Sequence, residues 1–139
     1  VYSDKAGDIS NMTYEEFLGP YSTIIENSVE RLRDNRFACF VVANYRGKEK
    51  GRQMIDFVGD TIRCFEDAGA AFYNEIILIN AAGTGPMRTN TNFVRGARKV
   101  VKLHQNILVF VKGDPKVAAE EIPADAGVST CEGDWPDGE

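Results

Sequence analysis

The stretch Phe37-Ala38-Cys39-Phe40-Val41-Val42-Ala43-Asn44 is apolar without a break until its last residue. A short, partly β-branched run of this kind is the pattern of a strand covered on both faces, as parallel sheets require. It predicts a central strand in an α/β fold. On its carboxyl side Tyr45 to Gln53 is polar and basic and holds two glycines. This predicts a loop at the carboxyl end of the strand, where open α/β sheets bind their ligands. On its amino side Thr13-Tyr14-Glu15-Glu16 has the form of a capping box: the threonine hydroxyl accepts from the Glu16 amide, the glutamate reaches back, and Met12 and Phe17 are placed as a hydrophobic staple. A helix starts there. Its apolar face, Phe17, Tyr21, Ile24, Ile25, Ser28 and Leu32, keeps a period near 3.6. Gly19-Pro20 interrupts it, because Pro20 has no amide to bond back to Glu16, so a kink or a restart in two parts is expected.

Further along, Met54 to Ala68 sets Ile55, Val58, Ile62 and Phe65 on one helical face, and Gly69 supplies a left-handed stop. Phe72 to Ile79 and Asn106 to Lys112 are two more strands, separated by a long basic loop, and Gly113-Asp114-Pro115 ends the last of them. Beyond it the Pro, Gly, Asp and Glu content predicts a disordered acidic tail. The expected division is an α/β domain over 1–115 and that tail over 116–139.

A chain of 139 residues with 43% hydrophobic content is one domain by length and is not disordered throughout. Cys39, Cys64 and Cys131 are odd in number and far apart, which suggests neither a disulfide framework nor a metal site and fits a reducing compartment. No apolar run approaches the length that crosses a bilayer and no secretory signal opens the chain, so a soluble protein with no membrane partner is expected. The net charge of -5 is unevenly spread. From Gly113 onward eight acidic residues face one lysine, whereas between Glu75 and Asp114 there is no acidic residue at all. That interval holds Arg88, Arg95, Arg98, Lys99, Lys102 and Lys112, the footprint of a surface that meets phosphates or, equally, of a solvated loop.

The motifs that would carry catalysis are weak. Gly83-Thr84-Gly85 leads into no helix whose dipole could hold an anion, so it reads as a loop start. Asp56 and Asp60 lie one helical turn apart without a partner base or ligand nearby, which favours a solvated helix face. His104 is the only histidine, and no strand-to-helix elbow presents a serine or cysteine nucleophile, so hydrolysis is not expected. A structural histidine and a substrate-facing one both remain open for His104, given the basic approach from Arg98.

Four stretches resemble, in the same order, the C-terminal half of phage and prophage DNA modification methylases, the S-adenosylmethionine-dependent group that methylates exocyclic amino groups of adenine or cytosine. They are Val1-Tyr2-Ser3-Asp4 with Asp8 to Phe17; Arg36 to Val42; Phe57-Val58-Gly59-Asp60-Thr61-Ile62 running to Tyr73-Asn74-Glu75; and Arg98-Lys99 with His104 to Pro115. The resemblance implies a partial doubly wound, Rossmann-like methyltransferase sheet. It would have about three strands, the last antiparallel between the two before it, flanked by two to three helices. It also implies what lies elsewhere. The glycine-rich cofactor loop and the catalytic Pro-Pro-aromatic motif of that family precede the matching region, and neither occurs in this sequence. The chain departs from the family at Asn44-Tyr45-Arg46, where an acidic residue is common.

The expectations follow. No catalytic residue and no metal ligand is assigned. Asn44, Arg46, His104 and Asn106 are expected to line one wall of a substrate cleft, and Arg88, Arg95, Arg98, Lys99 and Lys102 to meet DNA phosphates weakly. S-adenosylmethionine is expected to bind only when an N-terminal methyltransferase half completes the fold. A homo-oligomer is expected, and a cytoplasmic setting in a bacterial or phage-infected cell. The alternative is a non-enzymatic remnant that binds nucleic acid or associates with itself.

Overall fold

The computed structural model describes Lys5, residues 7–47, 53–80, Phe93, Arg95, Arg98, residues 102–123 and Ala126. Helix α1, Tyr14–Arg31, begins at the capping box: Glu16 N–H donates to Thr13 Oγ1 at 3.4 Å, and Thr13 N–H donates to Glu16 Oε2 at 3.0 Å. The Thr13 N–H and then the Thr13 hydroxyl, both donating to the carboxylate, hold the Glu16 carboxyl below its ordinary range. The helix runs unbroken through Pro20, so the expected division into two parts does not occur. Phe17 before the proline is packed on the core, and Tyr21, Ile25 and Val29 after it are buried at the same interval of four, so one stripe holds both sides of the proline in register against the core. Ile24 lies off the stripe and is exposed.

Three strands form the sheet: β1, Arg36–Val42; β4, Ala71–Ile79; and β5, His104–Lys112. Their order is β1-β5-β4, with β5 antiparallel to both neighbours. The sheet is therefore the one the resemblance implied, with its last strand inserted between two parallel ones. Arg36 pairs with Lys112 and Val42 with Asn106; Ala71 pairs with Val111 and Ile79 with His104, across an irregularity between Phe72 and Asn74. The central strand is β5. β1 stands at the sheet edge among the described residues, which corrects the expectation that it would be central. Its helix-side residues Ala38, Phe40 and Val42 join the core, whereas Cys39 and Val41 are exposed.

Two further corrections concern the segment after β1. Tyr45–Arg46 (β2) pairs with Met54–Ile55 (β3) in a small antiparallel ladder, so part of the expected loop is a hairpin. Helix α2 accordingly starts later, at Phe57, and runs to Asp67. Asp56 is its N-cap, accepting from Gly59 N–H at 3.2 Å, rather than a residue of a solvated helix face. Helix α3, Pro115–Glu120, occupies what was expected to be the start of a disordered tail. Asp114 accepts from the amides of Lys116 and Val117, Pro115 sits in the first turn, and Ala118 is buried. This is the ordinary way for Asp-Pro to open a helix. Arg36 and Glu121 pair at 2.9 Å just past its end.

The core lies between the helices and one face of the sheet. Phe65 of α2 stacks on Phe110 of β5 with ring centroids 3.9 Å apart, and Ile25 and Leu108 are fully buried beside them. Thr61 is the one buried polar residue among those described; its hydroxyl donates to Phe57 O and accepts from the Tyr21 hydroxyl at 3.0 Å. The far end of β5 secures α1. Lys112 Nζ donates to the carbonyls of Val29 at 3.0 Å and Leu32 at 2.8 Å, a cation at a helix C-terminus whose last carbonyls lack intrahelical partners. The turn beside it needs glycine: Gly113 has φ 89°, and a Cβ there would meet Asn35 Oδ1 at 2.5 Å.

Candidate nucleic-acid interface

Because β5 runs against β1 and β4, its first residues lie at the same end of the sheet as the carboxyl ends of the other two. The topology therefore brings His104 and Asn106 to the end from which Asn44 and the β2–β3 hairpin emerge. Asn80 N–H donates to Leu103 O at 2.8 Å and closes the β4–β5 pair there. The basic stretch leaves and returns through this point.

The four proposed cleft residues have different surroundings. His104 is exposed. Asn106 donates through Nδ2 to Glu75 Oε1 at 2.5 Å, a cross-strand pair on the helix side of the sheet. Asn44 is engaged at both ends of its amide: Oδ1 accepts from Val58 N–H at 2.7 Å and Nδ2 donates to Asp56 Oδ1 at 3.3 Å. It ties the end of β1 to the first turn of α2. Arg46 is exposed on the hairpin. Of the expected phosphate contacts, Arg95 and Arg98 are exposed and Lys102 is half-buried; Arg88 and Lys99 lie outside the described residues. Lys112, counted with the basic stretch by sequence, belongs to the α1 cap at the other end.

An aromatic cluster at this end went unread in the sequence. The rings of Tyr14, Tyr45 and Phe57 stand edge to face, with centroids 6.1 to 6.4 Å apart, an arrangement favoured by the ring quadrupoles. The Tyr14 hydroxyl donates to Asp60, whose other oxygen accepts from Arg63 at 2.5 Å. Burial and then the Asp60 carboxylate push the Tyr14 phenol far above its ordinary value, and burial raises Tyr45 as well. Both phenols are therefore neutral donors at any physiological pH. The available signal was an aromatic residue in the first turn of a capped helix and another directly after a strand.

No glycine-rich turn joins a described strand to a helix, and the shallow groove lined by Thr23, Glu26, Asn27, Glu30 and Ala68 lies beside Lys112, at the opposite end of the sheet. Among the described residues there is no cluster of side chains suited to a metal ion, and no helix long and apolar enough to cross a membrane.

The strand order, the antiparallel insertion and the helices on the sheet define a partial methyltransferase-like α/β fold. Two solved structures share it, both of TTHA0409, a protein of Thermus thermophilus that carries the name DNA modification methylase. The selenomethionine derivative matches with a TM-score of 0.54 and 18% identity, and the complex with S-adenosyl-L-methionine with 0.55 and 19%. Each match covers 73% of this chain but only 38% and 39% of the neighbour, so the chain spans well under half the length of those proteins. At such identity the likeness is one of fold. No protein-family model and no curated protein matches the sequence.

Proposed function

We propose that the chain is the C-terminal portion of a DNA methyltransferase acting on exocyclic amino groups of bases, and that it works only with an N-terminal half supplying the cofactor loop and the Pro-Pro-aromatic motif. The observation that carries this reading is the β1-β5-β4 order with β5 antiparallel, together with a match confined to 39% of a methylase-named neighbour that was solved with S-adenosyl-L-methionine. In this reading Arg88, Arg95, Arg98, Lys99 and Lys102 hold the DNA backbone, while His104 and Arg46 face the substrate from the sheet end. Asn44 and Asn106 position that wall through α2 and β4.

DNA binding by the chain alone is expected to be weak, independent of sequence and steeply salt-dependent, because phosphate contacts release counterions. In a fluorescence titration with duplex DNA, Arg98→Ala with Lys99→Ala should lower the slope of log K against log salt by about one per lost contact. Binding that ignores both substitutions would leave the stretch as solvated surface.

The β1 edge bears on assembly. Phe37 to Val42 carries no charge, and its register with β5 runs through six pairs without a bulge, so its outer backbone groups offer a template for another strand. Without the N-terminal half, a homodimer or larger assembly is expected. Light scattering reads it, and a monodisperse monomer with no rapid amide exchange along residues 37–44 would contradict it.

A further inference from the structure

Strand β4 is exposed at all nine of its residues, whereas β1 and β5 each bury part of theirs. Among the described residues it is an edge strand. Natural edge strands are kept from pairing with other chains by lysine, proline, shortness or a bulge. None of these guards Asn74 to Ile79. The stretch holds no basic residue and no proline, and the irregularity in its pairing with β5 lies before it, between Phe72 and Asn74. Its one charge is drawn inward, because Glu75 Oε1 accepts from Asn106 Nδ2 on the neighbouring strand.

What remains at the edge is apolar. Phe72, Tyr73, Ile76, Ile77, Leu78 and Ile79 are between 38% and 75% exposed. The register with β5 sets Ile77 and Ile79 on the face of Asn106 and His104, and Ile76 and Leu78 on the opposite one, so the edge is apolar on both faces. The six side chains offer roughly 600 Å² of surface, the top of the range of about 300–600 Å² for the largest patch on an ordinary monomer. That is most of the roughly 800 Å² per partner that a stable interface buries.

We infer that β4 is the interface of a two-fold homodimer, in which it pairs antiparallel with β4 of a second copy and joins two three-stranded sheets into one of six strands. A second copy fits because a two-fold contact needs a surface that complements itself. Centred on Ile77, the pairing sets Ile77 against Ile77 of the partner subunit, Ile76 against the partner's Leu78, Glu75 against the partner's Ile79 and Asn74 against the partner's Asn80. No like charges meet. The outward amides and carbonyls of β4 gain a ladder, and apolar side chains on both faces leave water. The axis stands perpendicular to the joined sheet and sends the two His104 ends in opposite directions, so each copy keeps its own sheet end open. The contact goes beyond the proposed function and does not depend on it, since β4 lies across the sheet from the β1 edge that an N-terminal half would take.

The full chain is tested by light scattering and hydrogen exchange over a range of concentrations, as wild type, Ile77→Lys, Ile77→Val and Val41→Lys, each checked for folding by circular dichroism. In the wild type the amides of residues 74–79 that point away from β5 should be protected, and the protection should fall on dilution as the mass falls by half. Ile77→Lys sets two ammonium groups side by side at the axis, so it should free those amides and halve the mass where the wild type is paired. Ile77→Val should keep both, and Val41→Lys, on the β1 edge, should leave the β4 protection in place. If Ile77→Lys does not fold, Leu78→Lys carries the same expectation from the other face of the strand. Outward β4 amides that exchange freely in the wild type at every concentration would overturn the dimer. So would protection that persists undiminished in a monomer, because the chain would then cover its own edge.

Discussion

Calorimetry of the isolated chain with S-adenosylmethionine should show no saturable heat, and incubation with DNA should transfer no methyl group. The physical reason is positional. An exocyclic amino group is a poor nucleophile because its lone pair is delocalised into the ring, so the enzyme must take the base out of the stack and hold that nitrogen by acceptors. Reacting atoms must then be kept about 3 to 3.5 Å apart, and effective molarities of that kind arise only in a built cleft. The Pro-Pro-aromatic motif does not occur in the sequence, and among the described residues no glycine-rich turn leads into a helix. Adding a cognate N-terminal half should restore both binding and transfer. In that complex His104→Ala should lower methylation more than cofactor affinity, since His104 stands exposed at the sheet end beside the basic stretch. Clear saturable binding by the chain alone would overturn the half-domain account.

Phe110→Ala should be the most damaging single core substitution, costing about 3–5 kcal/mol. The side chain is fully buried, stacks on Phe65 at 3.9 Å and meets Phe72 at 5.7 Å. Its removal leaves a void between α2 and the central strand, and among the described residues both sheet neighbours pair only with β5. Total stabilities of small domains are about 5–15 kcal/mol, so the variant should sit near or past unfolding at room temperature. Urea titration reads the cost as a lowered midpoint, and Phe110→Leu should keep most of the stability because it keeps most of the volume. A midpoint unmoved by the alanine would mean that the core is not packed around this ring.

Periodicity and caps carried the reading where they were local. Thr13 and Glu16 announce α1 through bonds spanning three residues, and the apolar runs of β1, β4 and β5 were visible to within a few residues because continuous apolarity and β-branching act over the strand itself. Resemblance, not periodicity, supplied the antiparallel placement of β5. Short elements were lost. The pair Met54 and Ile55 has no period to detect and was absorbed into the following helix, and the Asp-Pro start of α3 was overlooked in an acidic context.

The candidate site was legible as residue types and not as roles. Asn44 looks like a substrate group because it is polar at a strand end, yet its amide is spent on Val58 and Asp56, a pairing across fourteen and twelve positions that sequence spacing does not announce. Lys112 looks like part of a phosphate surface and instead closes the C-terminus of α1 from across the sheet. The chain's own order settles which segments become helix or strand, through side-chain sterics and hydrogen bonds within one turn or one pleat. Which polar groups stay available for a ligand is settled by contacts between segments remote in sequence, because a charge or amide is neutral to its fate until packing brings it a partner.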